Sequence, residues 1–370
     1  MPKRLPITTP QIVEGILNYF NLDNAEITTD GVRMYARDAG YTPSTILNRL
    51  SSFKSGRGKY SLSRAEAVAH LEETYDSPSV EPVEYSSLIP QTDPHFVPFG
   101  NYKDLKSIIK SKLFYPVFIT GLSGNGKTHS VEQSCAQLKR DMVRVNITIE
   151  TDEDDLIGGF RLVNGNTVWH DGPVVEALRR GAVLLLDEVD LASNKIMCLQ
   201  SLLEGKGVYL KKTNTYVKPS PGFNVIATAN TKGKGDDSGM FIGTNILNEA
   251  FLERFPVTFE QDYPTPAVET KILTRIATEL ECYNKDYVDH LITWAEIIRK
   301  TYDDGGVDSV ITTRRLINIV KAYAIWEDEI KAISLCVNRF DDDTKKVFGD
   351  LYAKVSGVVT DEEDDRPIEL

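Results

Sequence analysis

The chain is poor in cysteine. Its 370 residues include four, at positions 135, 198, 282 and 336, and no two of them stand in Cys-x-x-Cys spacing. Disulfide-rich folds and zinc ribbons need paired cysteines, so both classes are excluded. We expect reduced thiols buried as small apolar side chains, which fits a cytoplasmic protein.

Long apolar runs are also missing. No stretch approaches the roughly 20 apolar residues that cross a bilayer, and the first residues, Met-Pro-Lys-Arg-Leu-Pro, lack the apolar core of a signal peptide. We therefore expect no membrane contact and a cytoplasmic location. With 41% apolar residues, the chain can build ordinary cores for two or three domains.

Histidine is scarce, and acidic residues outnumber basic ones. The five histidines form no His-Glu-x-x-His motif, and no Gly-x-Ser-x-Gly elbow occurs, so zinc-hydrolase and serine-hydrolase chemistry are unsupported. The formal net charge of −12 argues against adhesion to nucleic acid over the whole surface. Basic residues instead concentrate between Asp30 and Arg64, where seven stand against two acids.

One segment carries a complete phosphate-binding motif. Residues 121–128 read Gly-Leu-Ser-Gly-Asn-Gly-Lys-Thr, which matches Gly-x-x-x-x-Gly-Lys-Thr, and the apolar run before them predicts a strand. The glycines let backbone N–H groups wrap a phosphate, Lys127 reaches the outer phosphates, and the Thr128 hydroxyl ligates Mg²⁺. The loop therefore predicts a nucleoside triphosphate site. Its predicted nucleotide contacts are Gly121, Leu122, Ser123, Gly124, Asn125, Gly126, Lys127, Thr128 and His129.

Two further apolar runs end in polar residues. Residues 182–186 predict a buried parallel strand followed by Asp187 and Glu188, and residues 223–229 predict another followed by Asn230. The carboxyl ends of such strands meet in the ligand crevice of an α/β sheet. There we expect Asp187 to hold Mg²⁺, Glu188 to polarise the attacking water, and Asn230 to hydrogen-bond that water or the γ-phosphate.

These features, in this order, resemble the AAA+ ATPases of the MoxR group, and within it the small ATPase subunits of cobaltochelatases. The resemblance implies a parallel α/β nucleotide-binding domain, a C-terminal helical lid, ATP and Mg²⁺ as cofactors, and ATP hydrolysis. Besides the loop and the two strands, the segments that carry it are 155–160 with 168–173, 250–255 and 262–266.

The resemblance also assigns two arginines. In the group, one arginine reaches the nucleotide of a neighbouring subunit, and Arg254 occupies that place here. Hydrolysis then requires a ring, implied to be a hexamer, whereas without the resemblance Arg254 beside Glu253 is an ordinary surface ion pair. A second arginine, which meets the γ-phosphate from the lid, is assigned to Arg314, with Arg315 as the alternative. The implied partner is a client protein with a von Willebrand factor A domain, which the motor remodels or activates.

The predicted organisation has five parts. They are a small helical module over 1–75, a proline-rich linker over 76–98, the nucleotide-binding domain over 99–262, a helical lid with C-terminal helices over 263–357, and an acidic tail over 358–370. Residues 31–50 resemble a helix-turn-helix whose second helix would present Ser44, Thr45, Asn48 and Arg49. DNA contact, partner docking and a purely structural role remain open. A DNA-associated ATPase recruited through this module is the main alternative function.

Two hairpins are predicted on the nucleotide-binding domain. One turns at Asn164-Gly165, and the other runs from Gly207 to Tyr216. In related ATPases such insertions face the ring axis or a partner, although they can also merely shield the sheet. The candidate partner contacts are Phe160, Trp169, Lys211 and Lys212.

Overall fold

The computed structural model describes residues 9–22, 24–63, 87–235, 241 and 243–357. The chain falls into two compact units, divided between positions 86 and 87. No helix in the described ranges is both long and apolar enough to span a bilayer. The four cysteines are free; Cys135 is buried as expected, and the other three are partly exposed. The predicted acidic tail and residues 76–86 of the predicted linker lie outside the described residues.

The N-terminal unit mixes helices with a small antiparallel sheet. Its elements are α1 Thr9–Phe20, β1 Asn24–Thr28, α2 Thr29–Asp38, α3 Pro43–Arg49, β2 Lys54–Gly56 and β3 Lys59–Ser63, with a 3-10 turn at Ser51–Phe53. The sheet order is β1-β3-β2. Helices α2 and α3 lie where predicted, but the prediction of a purely helical module missed the sheet. The strands are short, and only β3, with buried Tyr60 and Leu62 between exposed neighbours, has a strand pattern.

A five-stranded parallel sheet forms the centre of the second unit. The elements up to its last strand are α4 Tyr102–Ser111, β4 Val117–Thr120, α5 Lys127–Leu138, β5 Met142–Asn146, α6 Glu153–Leu156, β6 Gly158–Val163, β7 Asn166–Asp171, α7 Pro173–Arg180, β8 Val183–Asp187, α8 Gln200–Leu203, β9 Val208–Leu210, β10 Thr215–Val217, β11 Asn224–Ala229, α9 Glu249–Leu252 and β12 Val257–Glu260. Two 3-10 turns, Val189–Leu191 and Asn194–Leu199, follow β8. The sheet order is β12-β4-β11-β8-β5, with every neighbouring pair parallel. The predicted α/β class is confirmed.

Both faces of this sheet are covered, which explains why its central strands read as unbroken apolar runs. In β8, Leu184 and Leu186 pack on one face with the apolar residues of α7, while Val183 and Leu185 pack on the other with those of α4 and α5. Because β4, β8 and β11 are parallel, their carboxyl ends meet at one edge. The phosphate loop, Asp187 with Glu188, and Asn230 follow these three ends.

Residues 87–98, assigned to the linker from the sequence, pack against the second unit. The backbone of Leu88 bonds to Met142 and to the Asp141 carboxylate, each at 3.1 Å. The Asp93 N–H donates to Gln133 on α5 at 2.9 Å, and Val97 is buried. These contacts attach the segment to the sheet edge and to α5 rather than leaving it as a free connector.

Five helices follow the sheet and form a separate apolar core. They are α10 Pro266–Glu279, α11 Lys285–Asp303, α12 Thr313–Trp326, α13 Glu329–Val337 and α14 Asp342–Ser356. Trp294 is fully buried in this core, where its indole N–H donates to the Phe348 carbonyl at 2.8 Å. Residues 263–357 are therefore helical, as the apolar spacing predicts.

Candidate active site

The phosphate loop connects β4 to α5 and depends on glycine at two tight positions. Gly121 has a φ of +146°, and a Cβ there would lie 2.1 Å from the Gln261 carbonyl oxygen. Gly124 has a φ of +71°, and its Cβ would lie 2.9 Å from the Thr312 side chain at the start of the lid helix α12. A side chain at either position would therefore displace the loop from the sheet or from the lid.

Lys127 is buried at the centre of the loop. Its Nζ donates to the carbonyl oxygens of Gly121 and Leu122, at 2.5 and 2.9 Å, and to Asn230 Oδ1 at 3.2 Å. Burial lowers the pKa of this ammonium to about 8, against the opposing pull of Asp190 and Asp187. A phosphate anion is the partner that such a desolvated cation lacks.

The cleft above the loop has a volume of about 750 Å³. Of the predicted nucleotide contacts, Ser123 to His129 line it, whereas Gly121 and Leu122 turn towards the other side of the loop. His129 lies between Asp93 at 2.9 Å and Glu132 at 3.5 Å, and its hydrogen bond to Glu132 raises the pKa of the imidazole. The volume is in the usual range for a small-molecule site.

One end of this cleft is apolar, and sequence reasoning missed it. Its lining comes from the segment 87–99 and from lid helices α10 and α12, which no phosphate motif reports. The apolar residues are Phe96, Val97, Phe99, Ile272, Ile276 and Ile317. A planar base fits such a surface, because apolar and aromatic walls with few polar groups are typical of cofactor pockets.

Asp187 ends β8 and receives hydrogen bonds from three side chains. The Thr128 hydroxyl donates to it at 2.8 Å, the Thr228 hydroxyl donates to the same oxygen, and Arg144 donates to the other oxygen at 2.5 Å. The predicted pair for Mg²⁺, Thr128 and Asp187, is therefore brought together. A hydroxyl and a carboxylate are hard oxygen ligands that fit Mg²⁺ alongside substrate phosphates. Among the described residues, no cluster of three or more His, Cys, Asp or Glu side chains forms another metal site.

Glu188 adopts a left-handed backbone, with a φ of +58°. For a non-glycine residue this conformation costs about 1–3 kcal/mol, and such strain concentrates at functional sites. The Glu188 N–H donates to the Thr228 hydroxyl at 3.3 Å, while its exposed carboxylate faces the cleft. The chain thus leaves the sheet directly after Asp187, and the Glu188 carboxylate, which is predicted to polarise water, is directed into the cleft.

Asn230 follows β11, the strand that pairs with β8, and β8 ends just before Glu188. Its side-chain oxygen accepts from Lys127, and its backbone N–H donates to Asp190 Oδ2 at 2.9 Å. The same oxygen of Asp190 accepts from the N–H and the hydroxyl of Thr231, at 2.9 and 3.1 Å. Asp190 is completely buried and its other oxygen has no hydrogen-bond partner within the described residues. Asp190 ends the segment 181–190 that carries the resemblance to the family, but no role was predicted for it.

The two candidate arginines of the lid point in different directions. Arg314 lines the cleft, and its backbone N–H lies 3.4 Å from the Gly124 carbonyl of the phosphate loop. Arg315 instead donates to the Cys336 carbonyl and stacks over the Phe340 ring at 4.7 Å. The geometry therefore favours Arg314 for contact with phosphate and gives Arg315 a place inside the lid.

A buried ion pair lies next to the first turn of α12, and no sequence pattern indicated it. Arg299 on α11 donates two hydrogen bonds to Glu269 on α10, both at 2.9 Å, and Thr313 adds a third at 2.5 Å. The Arg299 guanidinium also stacks over the Tyr263 ring at 4.2 Å, and the Tyr263 hydroxyl donates to the Ser123 carbonyl at 2.9 Å. Three lid helices are thereby tied to the phosphate loop.

Arg254 does not line the cleft of its own chain. It follows the short helix α9, and its guanidinium forms hydrogen bonds with Glu204 at 2.7 and 3.1 Å. About a fifth of the side chain remains exposed. Of the residues predicted to be catalytic, Glu188, Asn230 and Arg314 therefore share one site, and Arg254 lies apart from it.

Both predicted hairpins are present. Strands β6 and β7 pair Phe160 with Trp169, whose rings meet edge to face at 5.5 Å, and Leu162 nearby is 77% exposed. In the second hairpin, β9–β10, Lys211 and Lys212 form exposed ion pairs with Glu153 and Asp154 of α6, at 3.2 and 2.6 Å. The second hairpin is thus bonded to α6, the helix directly before the first hairpin. The first hairpin exposes apolar side chains.

Residues 116–255 match the AAA domain, dynein-related subfamily. The aerobic cobaltochelatase subunit CobS of Sinorhizobium sp is 26% identical over 253 residues, which cover 65% of this chain and 75% of that protein. Protein NorQ of Paracoccus denitrificans is 33% identical over 162 residues, covering 43% of this chain and 57% of that protein. The alignment with the structure of a RuvB variant of Thermotoga maritima covers 73% of each chain, with a TM-score of 0.45 and 17% sequence identity. The matched AAA domain includes the phosphate loop, the acidic strand end, Asn230 and Arg254.

Proposed function

Because this chain is an AAA+ ATPase similar to the MoxR group, we propose that it assembles into a hexameric ring that hydrolyses ATP between subunits and remodels a client protein. The observation that carries the ring is the position of Arg254. Lys127, Asp187, Glu188 and Asn230 surround one cleft, yet the arginine that the family places at the γ-phosphate is outside it. A neighbouring subunit would supply that cation.

In this proposal each residue of the cleft has one task. Thr128 and Asp187 would hold Mg²⁺, which spreads the charge of the triphosphate when bound. Lys127 and Arg314 neutralise the outer phosphates, Glu188 orients and polarises the attacking water, and Asn230 holds that water or the γ-phosphate.

Mixing two inactive variants tests the shared site. Lys127→Ala removes phosphate binding, and Arg254→Ala is expected to lower the hydrolysis rate by about 10³-fold. When the two are mixed, a Lys127→Ala subunit can donate Arg254 to the intact cleft of its neighbour. We expect ATPase activity to return to roughly a quarter of the wild-type rate in a random ring of equal parts.

The matched control is a mixture of Arg254→Ala with the double variant Lys127→Ala/Arg254→Ala, which has no arginine to donate and should stay inactive. Equal rates in the two mixtures would disprove the shared site. Hydrolysis by the wild-type chain that stays constant per subunit on dilution to the monomer would disprove the ring.

We further propose that the client carries a von Willebrand factor A domain and contacts the β6–β7 hairpin. The similarity to a cobaltochelatase subunit, which by name works within a larger enzyme, supports a protein partner, and the exposure of apolar residues supports the hairpin as its contact; the type of partner domain follows from the resemblance to the MoxR group. Phe160 is 49%, Leu162 77% and Val168 44% exposed. Apolar side chains presented to solvent in this number on one hairpin mark an interaction surface.

A chain that binds ATP without hydrolysing it should retain the client. We expect immobilised Glu188→Gln protein with ATP to retain a von Willebrand factor A protein from source-cell lysate, as identified by mass spectrometry. Adding Leu162→Asp should release it, since a carboxylate cannot enter an apolar contact without a large desolvation cost. The control is Leu113→Asp, also at a highly exposed leucine, which should retain the client. Retention by both aspartate variants contradicts the hairpin contact.

A further inference from the structure

The N-terminal unit places two helices and a hairpin in direct succession. Helix α2 ends near Gly40, a tight turn follows in which the Tyr41 N–H donates to the Ala36 carbonyl at 2.7 Å, and α3 begins at Pro43. A single 3-10 turn then leads from α3 into the β2–β3 hairpin. Since α2 and α3 form the helix-turn-helix pattern, the hairpin beside α3 is the structural addition that the sequence did not predict.

Helix α3 has one buried and one polar face. Ile46 and, just past the helix end, Leu50 are completely buried in the core of the unit. Ser44, Thr45 and Asn48 are exposed, and so is Arg49 at the end of the helix. Because residues three and four apart share a helix face, these four side chains form a single polar surface. Such a surface contains the hydroxyl, amide and guanidinium groups that read base edges in the major groove.

The β2–β3 hairpin, which follows α3 in the chain after the 3-10 turn, carries positive charge. Its residues 54–59 read Lys-Ser-Gly-Arg-Gly-Lys, and residues 41–63 as a whole contain four basic residues and no acidic one. Lys59 pairs with Glu26 at 3.0 Å, whereas Lys54 and Arg57 are exposed and form no ion pair with any described residue. The turn itself is anchored, because the Gly58 carbonyl accepts from the Thr29 N–H at 2.8 Å. In a chain of net charge −12, this is a local cationic surface on a fixed scaffold.

We propose that the N-terminal unit binds duplex DNA, with α3 in the major groove and the β2–β3 hairpin on the adjacent backbone. Lys54 and Arg57 contact phosphates, while Asn48 and Arg49 contact base edges. The polar α3 face, together with Lys54 and Arg57, the two hairpin cations that form no ion pair with a described residue, favours nucleic acid over a protein partner, whose interface core is depleted of charge. This function stands apart from ATP hydrolysis, so each can fail without the other.

Fluorescence anisotropy with the full-length chain tests the proposal. The probe is a labelled mixed-sequence duplex of about 24 base pairs, titrated between about 50 and about 200 mM salt. We expect Lys54→Glu/Arg57→Glu to weaken binding by at least about tenfold and to reduce the slope of log affinity against log salt by about 2. Asn48→Ala should instead reduce discrimination between competing duplexes and leave the salt slope unchanged.

The matched control is Lys346→Glu/Lys354→Glu on α14, which makes the same charge change at exposed lysines of the other unit. It should bind DNA as the wild type does, and ATPase activity without DNA should be unchanged in both double variants. Three outcomes overturn the proposal: no binding of duplex by the wild type, equal losses in the two double variants, or equally tight binding of single-stranded DNA of the same length.

Discussion

Asp190 shows how a residue with no predicted role can determine the position of a predicted site residue. One of its carboxylate oxygens receives the backbone N–H groups of Asn230 and Thr231 together with the Thr231 hydroxyl. These bonds fix the chain where it leaves β11, and so they fix the direction in which the Asn230 side chain points. Asp190 does not itself line the cleft and acts through Asn230, so it is a positioning residue.

We expect Asp190→Asn to lower kcat for ATP hydrolysis by roughly 5- to 30-fold with little change in KM. The amide keeps the shape of the side chain but accepts hydrogen bonds more weakly than a carboxylate, a difference of about 1–2 kcal/mol. Steady-state ATPase kinetics measure the effect, and thermal unfolding confirms that the variant is folded.

A double-variant cycle separates positioning from general damage. If Asp190 acts through Asn230, then Asp190→Asn should cost nothing further in an Asn230→Ala background. Additive losses, or a rise in KM as large as the fall in kcat, would contradict the assignment.

The sequence predicted those residues of the site that belong to a contiguous motif or end an apolar strand. Lys127 and Thr128 follow from the loop pattern, and Asp187 and Asn230 follow from the parallel sheet, because strand ends converge at one edge. Their catalytic roles stay predictions. Thr228 and Glu269 stand in or just after segments that carry the resemblance, but no role was predicted for them or for Arg144, since each bonds to a partner about 40 positions away and no local pattern indicates such a contact. Arg144 alone had a sequence signal, because it is a charged residue within the otherwise apolar part of β5.

At the scale of elements, the lid helices meet the phosphate loop through the Glu269–Arg299 pair. Glu269 is 1% exposed, and Arg299 bonds to it with two parallel hydrogen bonds while stacking on Tyr263. A guanidinium makes both contacts at once because it is planar, and an ammonium cannot. The pair also receives a hydrogen bond from Thr313, the residue before Arg314, so it connects the first turn of α12 to α10 and α11.

We expect Arg299→Lys to reproduce the ATPase defect of Arg314→Ala, with no further loss when the two are combined, because under the proposed function one variant displaces and the other removes the same cation at the γ-phosphate. The fall in kcat/KM should be about tenfold, and the melting temperature should fall by several degrees, since a buried ion pair is weakened. ATPase kinetics and calorimetric unfolding measure the two effects.

The control for this prediction is Asp289→Asn, which removes an exposed ion pair with Lys285 on the same helix. Such a surface pair contributes about 0–1 kcal/mol, so kinetics and stability should stay near wild type. Wild-type kinetics in Arg299→Lys would show that the pair supports the lid without positioning Arg314.

For the whole molecule, the class of fold followed from the sequence, and the parts that did not follow have physical reasons. Long apolar-periodic segments predicted the sheet core and the lid. The N-terminal sheet was not predicted because a three-residue strand such as β2, exposed throughout, has no apolar periodicity to detect. The segment 87–98 was misassigned because prolines are typical of linkers, whereas here the backbone groups between them bond to Asp141 and Gln133. Apart from this segment, the predicted domain boundaries stay predictions.

Tyr263 couples the nucleotide cleft to the lid. Its hydroxyl bonds to Ser123 while its ring packs on Arg299, so the nucleotide pocket and the lid share one side chain. Any force that tilts the lid must then alter affinity for ATP, and by thermodynamic linkage ATP must bias the tilt by the same factor. In the proposed ring, this coupling would let nucleotide binding in one subunit influence the nucleotide site of the next subunit.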